Sequence, residues 1–266
     1  MTGPWVDLHS HLIPGVDDGA RDAADAAAGL KAFRQEGVRR IVTTPHVDGS
    51  LTHDPPALAE RLDRLDEGWA TLRDVAGGEP DLRVGRGVEL KLDIPEVDLS
   101  DPRLRLDGGP AVLVEFPFFT VPPRSAQALA RIREAGFRPL VAHPERYRGL
   151  DAALDTVRAW LDTGASLQVN AASLLGRYGP RAEEVATTLL ERGWAACLAS
   201  DYHCRGEPDV ARARALLEEQ GGEAQAHLLF HENPRRILDG EAPTPVPPLT
   251  PPSGLRRLMR RLGRRP

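Results

Sequence analysis

The chain has 266 residues, 41% of them hydrophobic and 27% charged, and its formal net charge is −5. This composition is typical of a soluble globular protein with its own core. No apolar run approaches the roughly 18 residues of a membrane span, no secretory signal is visible at the N-terminus, and two cysteines are too few for a disulfide framework. We therefore expect a cytoplasmic protein, and we predict no nucleic-acid partner.

Strands and helices alternate along the chain. Short apolar runs predict seven strands, at residues 5–9, 39–46, 82–90, 111–116, 138–143, 165–170 and 194–201. Amphipathic or capped segments predict helices at residues 22–36, 55–76, 121–136, 151–164, 181–192, 207–219 and 223–231. Because such alternation produces parallel strands with right-handed crossovers, we predict an α/β fold, a distorted (β/α)7 TIM-like barrel.

Metal-capable side chains stand at or just beyond the carboxyl ends of six of the seven predicted strands. They are His9 and His11, His46, Glu89, Glu115, His143, and Asp201 with His203. The sixth strand ends at Asn170 instead. In a β/α barrel these ends converge on one face, so we expect the side chains to meet there.

Each of these positions is a weak indication by itself, since a single histidine after a strand is more often a hydrogen-bonded or surface residue. His9 and His11 are a stronger pair, because alternation along a strand puts both imidazoles on one face. Glu115 lies between the apolar runs "AVLV" and "FPFF". Burying a lone carboxylate is costly, and either a cation or an arginine salt bridge would relieve that cost.

The mixture of imidazole and carboxylate ligands suits Mn²⁺, Zn²⁺ or Fe²⁺ better than Ca²⁺ or Mg²⁺. With Asp18 the candidate ligands number nine, more than one ion takes, so we predict two or three divalent transition-metal ions. Neighbouring ions can clamp the attacking and leaving oxygens of a phosphoryl transfer and generate hydroxide at neutral pH.

Several motifs occur in a fixed order: "DLHSHLIPGVDDG", "TTPH", "GVEL", "LVEFPF", "PLVAHPERY", "LQVNAASLLGRYG" and "ASDYH". In this order they resemble the PHP (polymerase and histidinol phosphatase) superfamily. The chain is most similar to the CpsB/CapC/YwqE-type bacterial tyrosine phosphatases of capsular and exopolysaccharide systems. The likeness extends from about residue 5 to "NPRRIL" at 233–238, and "DDG", "AHPER" and "EFPF" distinguish this branch from histidinol phosphatases.

The resemblance implies a trinuclear centre. One ion would be held by His9, His11, Glu89 and Asp201. Glu89 would bridge to a second ion, also held by Glu115 and His143. Asp18, His46 and His203 would hold the third. Asp18 and Arg146 are the implied catalytic residues, and Arg146 would bind the substrate phosphate through its planar, permanently charged fork.

The resemblance further implies a phosphotyrosine-protein phosphatase whose metal-activated hydroxide attacks phosphorus. Its expected substrate is a bacterial tyrosine kinase of polysaccharide biosynthesis. Two alternatives stay open: a PHP phosphoesterase acting on a small phosphomonoester such as histidinol phosphate, and a non-catalytic, metal-stabilised scaffold. A cysteine phosphatase is excluded, because neither Cys197 nor Cys204 begins a C-x5-R loop.

Three departures from the family pattern bear on substrate preference. Val47 stands where the family often has a second histidine, and Val88 replaces a polar neighbour of Glu89. Tyr202 and Cys204 flank His203 where a small residue and Asn are common. None of these changes removes a proposed ligand.

Composition divides the chain into three parts. We predict a PHP-type domain at 1–240, a proline-rich linker at 241–252 and a basic tail at 253–266. Leu255, Leu258, Met259 and Leu262 would share one helical face, which is typical of a helix that contacts a membrane surface or an acidic partner. Peripheral attachment at the inner membrane face is one interpretation, a disordered tail is the other, and an oligomer stays open.

Overall fold

The computed structural model describes residues 4–249. Its strands are β1 (Trp5–Asp7), β2 (Val38–Thr43), β3 (His46–Asp48), β4 (Arg83–Arg86), β5 (Glu89–Lys91), β6 (Ala111–Glu115), β7 (Arg138–Ala142), β8 (Ser166–Asn170) and β9 (Cys197–Ala199). Its α-helices are α1 (Ala23–Gln35), α2 (Pro55–Ala76), α3 (Ser125–Glu134), α4 (Asp155–Asp162), α5 (Ala171–Leu174), α6 (Pro180–Glu191), α7 (Val210–Glu218), α8 (Glu223–His227) and α9 (Asn233–Leu238).

The paired strands are all parallel and form two sheets, in the orders β1-β2-β4 and β3-β5-β6-β7-β8-β9. The chain segments that follow β1 and β9 bring the ends of this arrangement together. There the His11 N–H donates to the Tyr202 carbonyl at 2.8 Å, and the Asp201 N–H donates to the His9 carbonyl at 2.9 Å. The predicted α/β fold with barrel-like parallel strands is confirmed.

Two of the predicted strands are each divided in two. Pro45, which has no N–H to donate, separates β2 from β3, while β4 and β5 are separated at the facing position. The register is kept across the break, since Thr43 pairs with Arg86 and His46 with Glu89. As a result, His46 and Glu89 begin neighbouring strand segments directly opposite each other.

Most predicted helices lie close to their expected bounds. Helix α2 has the predicted bounds, and α1 begins after Asp22, whose side chain accepts hydrogen bonds from two N–H groups of the first turn. The helix predicted at 223–231 continues through a π-helical segment, Leu228–Glu232, into α9. The sequence does not predict the short α5 and α9, because neither is long enough to show a clear apolar period.

Residues 241–249 contain no helix or strand, yet they lie against the body of the protein. Val246 and Leu249 are buried, and the Leu249 N–H donates to the Leu190 carbonyl at 3.0 Å. The predicted tail at 253–266 lies outside the described residues. Within the described part of the chain, no helix is long and apolar enough to cross a membrane.

Candidate metal centre

Four buried side chains form the deepest group of possible ligands, here called the deep group: His9, His11, Glu89 and Asp201. One ligand atom from each lies within 4.8 Å of the others. His9 Nε2 is 3.2 Å from Glu89 Oε2 and 3.3 Å from Asp201 Oδ1. His11 Nε2 is 3.6 Å and 3.5 Å from the same two oxygens. Both imidazoles therefore face the two carboxylates, as alternation after β1 predicts.

Glu89 also belongs to a second compact group, with His46 and Glu115. His46 Nδ1 is 3.1 Å from Glu89 Oε2 and 3.4 Å from Glu115 Oε1. On the other side, His143 Nε2 is 2.8 Å from Glu89 Oε1. Glu89 thus lies at the junction of several histidines, and His46 shares this group although the resemblance had assigned it to another ion.

A third group lies nearer to solvent and is here called the mouth group: His11, Asp18, His46 and His203. Asp18 Oδ1 is 3.3 Å from His203 Nε2 and 3.6 Å from His46 Nε2. The rings of His11 and His203 are stacked with centroids 3.9 Å apart. The structure therefore brings all nine sequence-predicted ligands to one face of the barrel, in groups that overlap at His11, His46 and Glu89.

The buried atoms of this junction that lack a hydrogen-bond partner include Glu89 Oε2 and His46 Nδ1. An unsatisfied buried polar atom is costly, and a divalent cation between these two atoms would satisfy both. Imidazole nitrogen with carboxylate oxygen is also a ligand set that Mn²⁺, Zn²⁺ and Fe²⁺ accept. The residues present therefore fit divalent transition-metal ions.

The electrostatics of the deep group agree with that fit. Burial disfavours a charged His9, but the carboxylates of Glu89 and Asp201 outweigh it and raise the pKa of His9 to about 10. Burial likewise disfavours a charged Glu89, yet His9 and His143 hold its pKa well below the usual range. The carboxylates thus require nearby positive charge, which a bound metal ion can supply in place of protons.

Several residues absent from the predicted ligand set orient the ligands. Asp17 Oδ2 is 2.8 Å from His11 Nδ1, and Gln168 Oε1 is 2.9 Å from His9 Nδ1. Gln168 also donates to Asn170 Oδ1 at 2.9 Å, and Asn170 Nδ2 donates to an Asp201 oxygen at 2.8 Å. Strand β8 therefore contributes support for the centre rather than a ligand. Alternation in "LQVN" could have indicated that Gln168 and Asn170 share a face.

The side chain of Asp7 connects the segments that follow β1 and β9 through two hydrogen bonds. Its carboxylate accepts from the His9 N–H at 3.1 Å and from the Ser200 N–H at 2.8 Å. Complete burial raises the pKa of Asp7 to about 7, although these two hydrogen bonds oppose the shift. Asp7 is missing from the residues predicted from the sequence, because it lies inside β1 rather than at its end.

Two of the strand-end residues have left-handed backbone conformations. His143 has φ of 34° and Asp201 has φ of 55°. Such angles are uncommon for non-glycine residues and tend to occur where a side chain must be aimed at a functional site. Here they turn both side chains towards Glu89 and His9.

Arg146 lies in the same cleft, which has a volume of about 840 Å³. Its Nη1 donates to Asp201 Oδ2 at 2.6 Å, and its guanidinium carbon lies 4.3 Å from the ring centroid of Phe119 and 4.2 Å from that of Tyr178. The neighbouring Glu145 is engaged elsewhere, accepting from the Asn170 N–H and the Ser173 hydroxyl. The guanidinium is therefore clamped between two rings at the edge of the deep group.

The positions that depart from the family pattern are occupied by packing residues. Val47 and Val88 are buried in the core, and the ring of Tyr202 meets that of Phe33 edge-on at 5.4 Å. Burial raises the pKa of the Cys197 thiol, which lies in β9. That environment does not favour the thiolate that a cysteine phosphatase needs.

Solved structures of a phosphatase and a hydrolase have folds similar to that of this chain. A chain from the crystal structures of YwqE from Bacillus subtilis and CpsB from Streptococcus pneumoniae, described as metal-dependent tyrosine phosphatases, superposes with a TM-score of 0.72 at 27% identity, covering 93% of this chain and 99% of that one. An organophosphorus hydrolase from Deinococcus radiodurans matches at 15% identity with a TM-score of 0.58, over 88% of this chain and 92% of that one. The second likeness concerns the fold alone.

Sequence comparison identifies the relatives. The tyrosine-protein phosphatase YwqE of Bacillus subtilis is 30% identical over 248 residues, which cover 91% of this chain and 95% of the relative. The tyrosine-protein phosphatase CpsB of Streptococcus pneumoniae is 27% identical over 243 residues, 88% of this chain and 98% of the relative. Residues 5–239 match the family described as "Capsular polysaccharide synthesis, CpsB/CapC". The chain belongs to the CpsB/CapC family.

Proposed function

We propose that this chain is a metal-dependent phosphotyrosine-protein phosphatase. The observation that carries the proposal is the convergence, on one cleft, of three overlapping histidine and carboxylate groups with the guanidinium of Arg146. Such a cleft offers positive charge for a phosphate from two sources, bound cations and an arginine. The named activity of the relatives supports phosphotyrosine as the phosphate ester.

We assign two to three ions of Mn²⁺, Zn²⁺ or Fe²⁺ to this centre. The deep group holds one ion, Glu89 with Glu115 and His143 holds another with His46 beside them, and Asp18 with His46 and His203 holds the outermost. When bound, such ions supply an activated water nucleophile at neutral pH and neutralise charge on the phosphate oxygens. The buried atoms Glu89 Oε2 and His46 Nδ1, which lack hydrogen-bond partners, support this assignment.

Residues of the chain itself would bind the phosphate and hold the outermost ion. Arg146 presents a planar fork, and the rings of Phe119 and Tyr178 limit its rotation, so its remaining N–H groups can bind two phosphate oxygens. The catalytic contribution of Asp18 is to hold the outermost ion. A tyrosine phenolate, with a pKa of about 10, leaves with little proton assistance. That property suits a cleft that brings metal ligands and arginine side chains together.

The natural substrate that we propose is a phosphorylated tyrosine kinase of bacterial capsule or exopolysaccharide synthesis. The family to which the chain belongs supports this choice. We further propose that residues 1–240 form the catalytic domain, that the protein acts in the cytoplasm, and that the basic tail contacts the inner membrane face or an acidic partner. A stable oligomer would be compatible with each of these proposals.

The test is hydrolysis by the full chain loaded with Mn²⁺, compared with the same protein after chelation. We expect a phosphotyrosine peptide and p-nitrophenyl phosphate to be hydrolysed, the activity to be lost with chelator, and the activity to return with added metal. Metal analysis should find more than one ion per chain, and a fully active preparation with a single ion would contradict the assignment. Preference for histidinol phosphate would favour the small-substrate alternative, and inactivity with metals bound would favour a scaffold.

A further inference from the structure

The turn that follows β6 holds an aromatic ring out into the cleft. Phe118 is 88% exposed and lines the same cleft as Arg146 and His143. Phe118 and the next residue, Phe119, have φ of 56° and 50°. Left-handed angles are uncommon for bulky residues. This turn therefore combines an unfavourable backbone conformation with an exposed apolar ring.

This turn is an ordered part of the fold. The Thr120 N–H donates to the Pro117 carbonyl at 3.0 Å, and the Arg148 N–H donates to the Phe119 carbonyl at 2.7 Å. On its other side the turn is anchored by the buried Phe116, whose N–H donates to the Tyr147 hydroxyl at 2.9 Å. These hydrogen bonds hold the backbone of the turn from which Phe118 extends.

The other aromatic rings that line the cleft already have partners. Phe119 and Tyr178 stack on the two sides of the Arg146 guanidinium, and Tyr202 packs against Phe33. Among residues 4–249, Phe118 makes no ring or cation contact. Phe118 is thus the most exposed aromatic ring of this cleft, at 88% against 41% for Tyr178, and its face is open to a ligand.

We propose that Phe118 packs against the phenyl ring of the substrate phosphotyrosine and selects aryl over alkyl phosphates. This inference rests on the proposed function. Phe118 lines the same cleft as Arg146, and it directly precedes Phe119, a ring partner of Arg146, so the aryl group of a phosphate ester bound by Arg146 would lie within reach of the Phe118 ring. Two aromatic rings attract in offset or edge-to-face geometry with centroids about 4.5–7 Å apart.

Binding of two phosphonates to the Mn²⁺-loaded full chain tests this inference without turnover. Phenylphosphonate carries the ring, and methylphosphonate carries the same head group without it. We expect Phe118→Ala to weaken phenylphosphonate binding by about two- to tenfold and to leave methylphosphonate binding unchanged. Phe118→Tyr should bind both ligands like the original chain, and Phe118→Leu should fall between. Because the ring is exposed, melting temperature and metal content should stay constant in all three variants.

Unchanged phenylphosphonate binding in Phe118→Ala would overturn the inference, as would an equal loss for both phosphonates. Activity assays separate this result from the proposed function. If the unaltered chain hydrolyses no phosphotyrosine peptide but still prefers phenylphosphonate through Phe118, the proposed function fails and the ring contact stands. If it hydrolyses the peptide and Phe118→Ala keeps the same KM, the ring contact fails and the proposed function stands.

Discussion

The deep group and the mouth group use the same kinds of side chain in different surroundings. The deep-group side chains are almost entirely buried, and Gln168 and Asn170 hold two of them in place. In the mouth group, the side chain of Asp18 is 60% exposed and that of His46 is 32% exposed. His11 belongs to both groups and connects them.

This difference in burial decides how much each ligand matters. A buried charge that loses its partner stays in a medium of low dielectric, so the loss is large. An exposed ligand can be replaced by water, so its loss is small. We therefore expect substitutions to become milder from the deep group to the mouth group.

The largest effect is expected for Glu89→Gln. The amide keeps the shape but removes the negative charge that faces His9, His46 and His143. We expect at least one ion per chain to be lost and kcat/KM on a phosphotyrosine peptide to fall by about 1,000-fold or more, roughly 4 kcal/mol. Metal analysis and steady-state kinetics measure both. Glu207→Gln, an exposed carboxylate of the same cleft, is the matched control and should behave like the original chain.

A smaller effect is expected for Arg146→Ala, which removes a phosphate contact without removing a ligand. We expect metal content to stay nearly constant, because His9 and His11 still face the carboxylate of Asp201. We expect kcat/KM to fall by about 30- to 1,000-fold, or about 2–4 kcal/mol. Arg146→Lys should recover only part of this loss, because a point charge does not reproduce a planar fork. Full activity of the Ala variant with its metals bound would exclude a phosphate-binding role.

Glu89 and Arg146 also show how much of the candidate site can be predicted from the sequence. The strand-end position of Glu89 predicts its place in the cleft, whereas a role for Arg146 is implied only by the resemblance that "AHPER" carries. Strand ends can be predicted because apolar runs and their breaks are local features. Their convergence follows from the parallel order of the strands, which alternation with helices also indicates.

Side-chain partners could not be predicted in the same way. Glu145 and Asp151 are the carboxylates nearest to Arg146 along the chain, whereas the guanidinium pairs with Asp201, which is 55 positions away. The sequence also indicates no role for Gln168, whose contact with His9 joins residues 159 positions apart. Such pairings depend on how distant strands are placed in the ring, and no local pattern records that placement.

Gln168 is the site of the next largest expected effect. Gln168→Leu keeps a side chain of similar size in β8 but removes the hydrogen bonds to His9 and Asn170. Loss of a residue that orients a ligating imidazole typically weakens metal binding by about 10- to 100-fold. A metal titration should show this weakening, with activity restored at high Mn²⁺. Gln225→Leu, at a half-buried site outside the cleft, is the control, and equal metal affinity in the two variants would contradict the supporting role.

The smallest effect is expected for Asp18 of the mouth group, and its neighbour Asp17 offers a direct comparison. Asp17 has a nearly buried side chain that contacts His11 Nδ1, whereas Asp18 extends towards His203 with most of its surface exposed. Asp17→Asn should therefore weaken metal binding by about 10- to 100-fold.

Asp18→Asn should weaken the binding of the outermost ion by less than about tenfold, because the remaining oxygen and water can complete its coordination. Activity should return to the original value when Mn²⁺ is raised to saturation, as followed by kcat at increasing metal concentration. A loss that persists at saturating metal would mean that Asp18 acts in the chemical step itself. A larger loss for Asp18→Asn than for Asp17→Asn would reverse the expected order and show that burial does not decide which ligands matter.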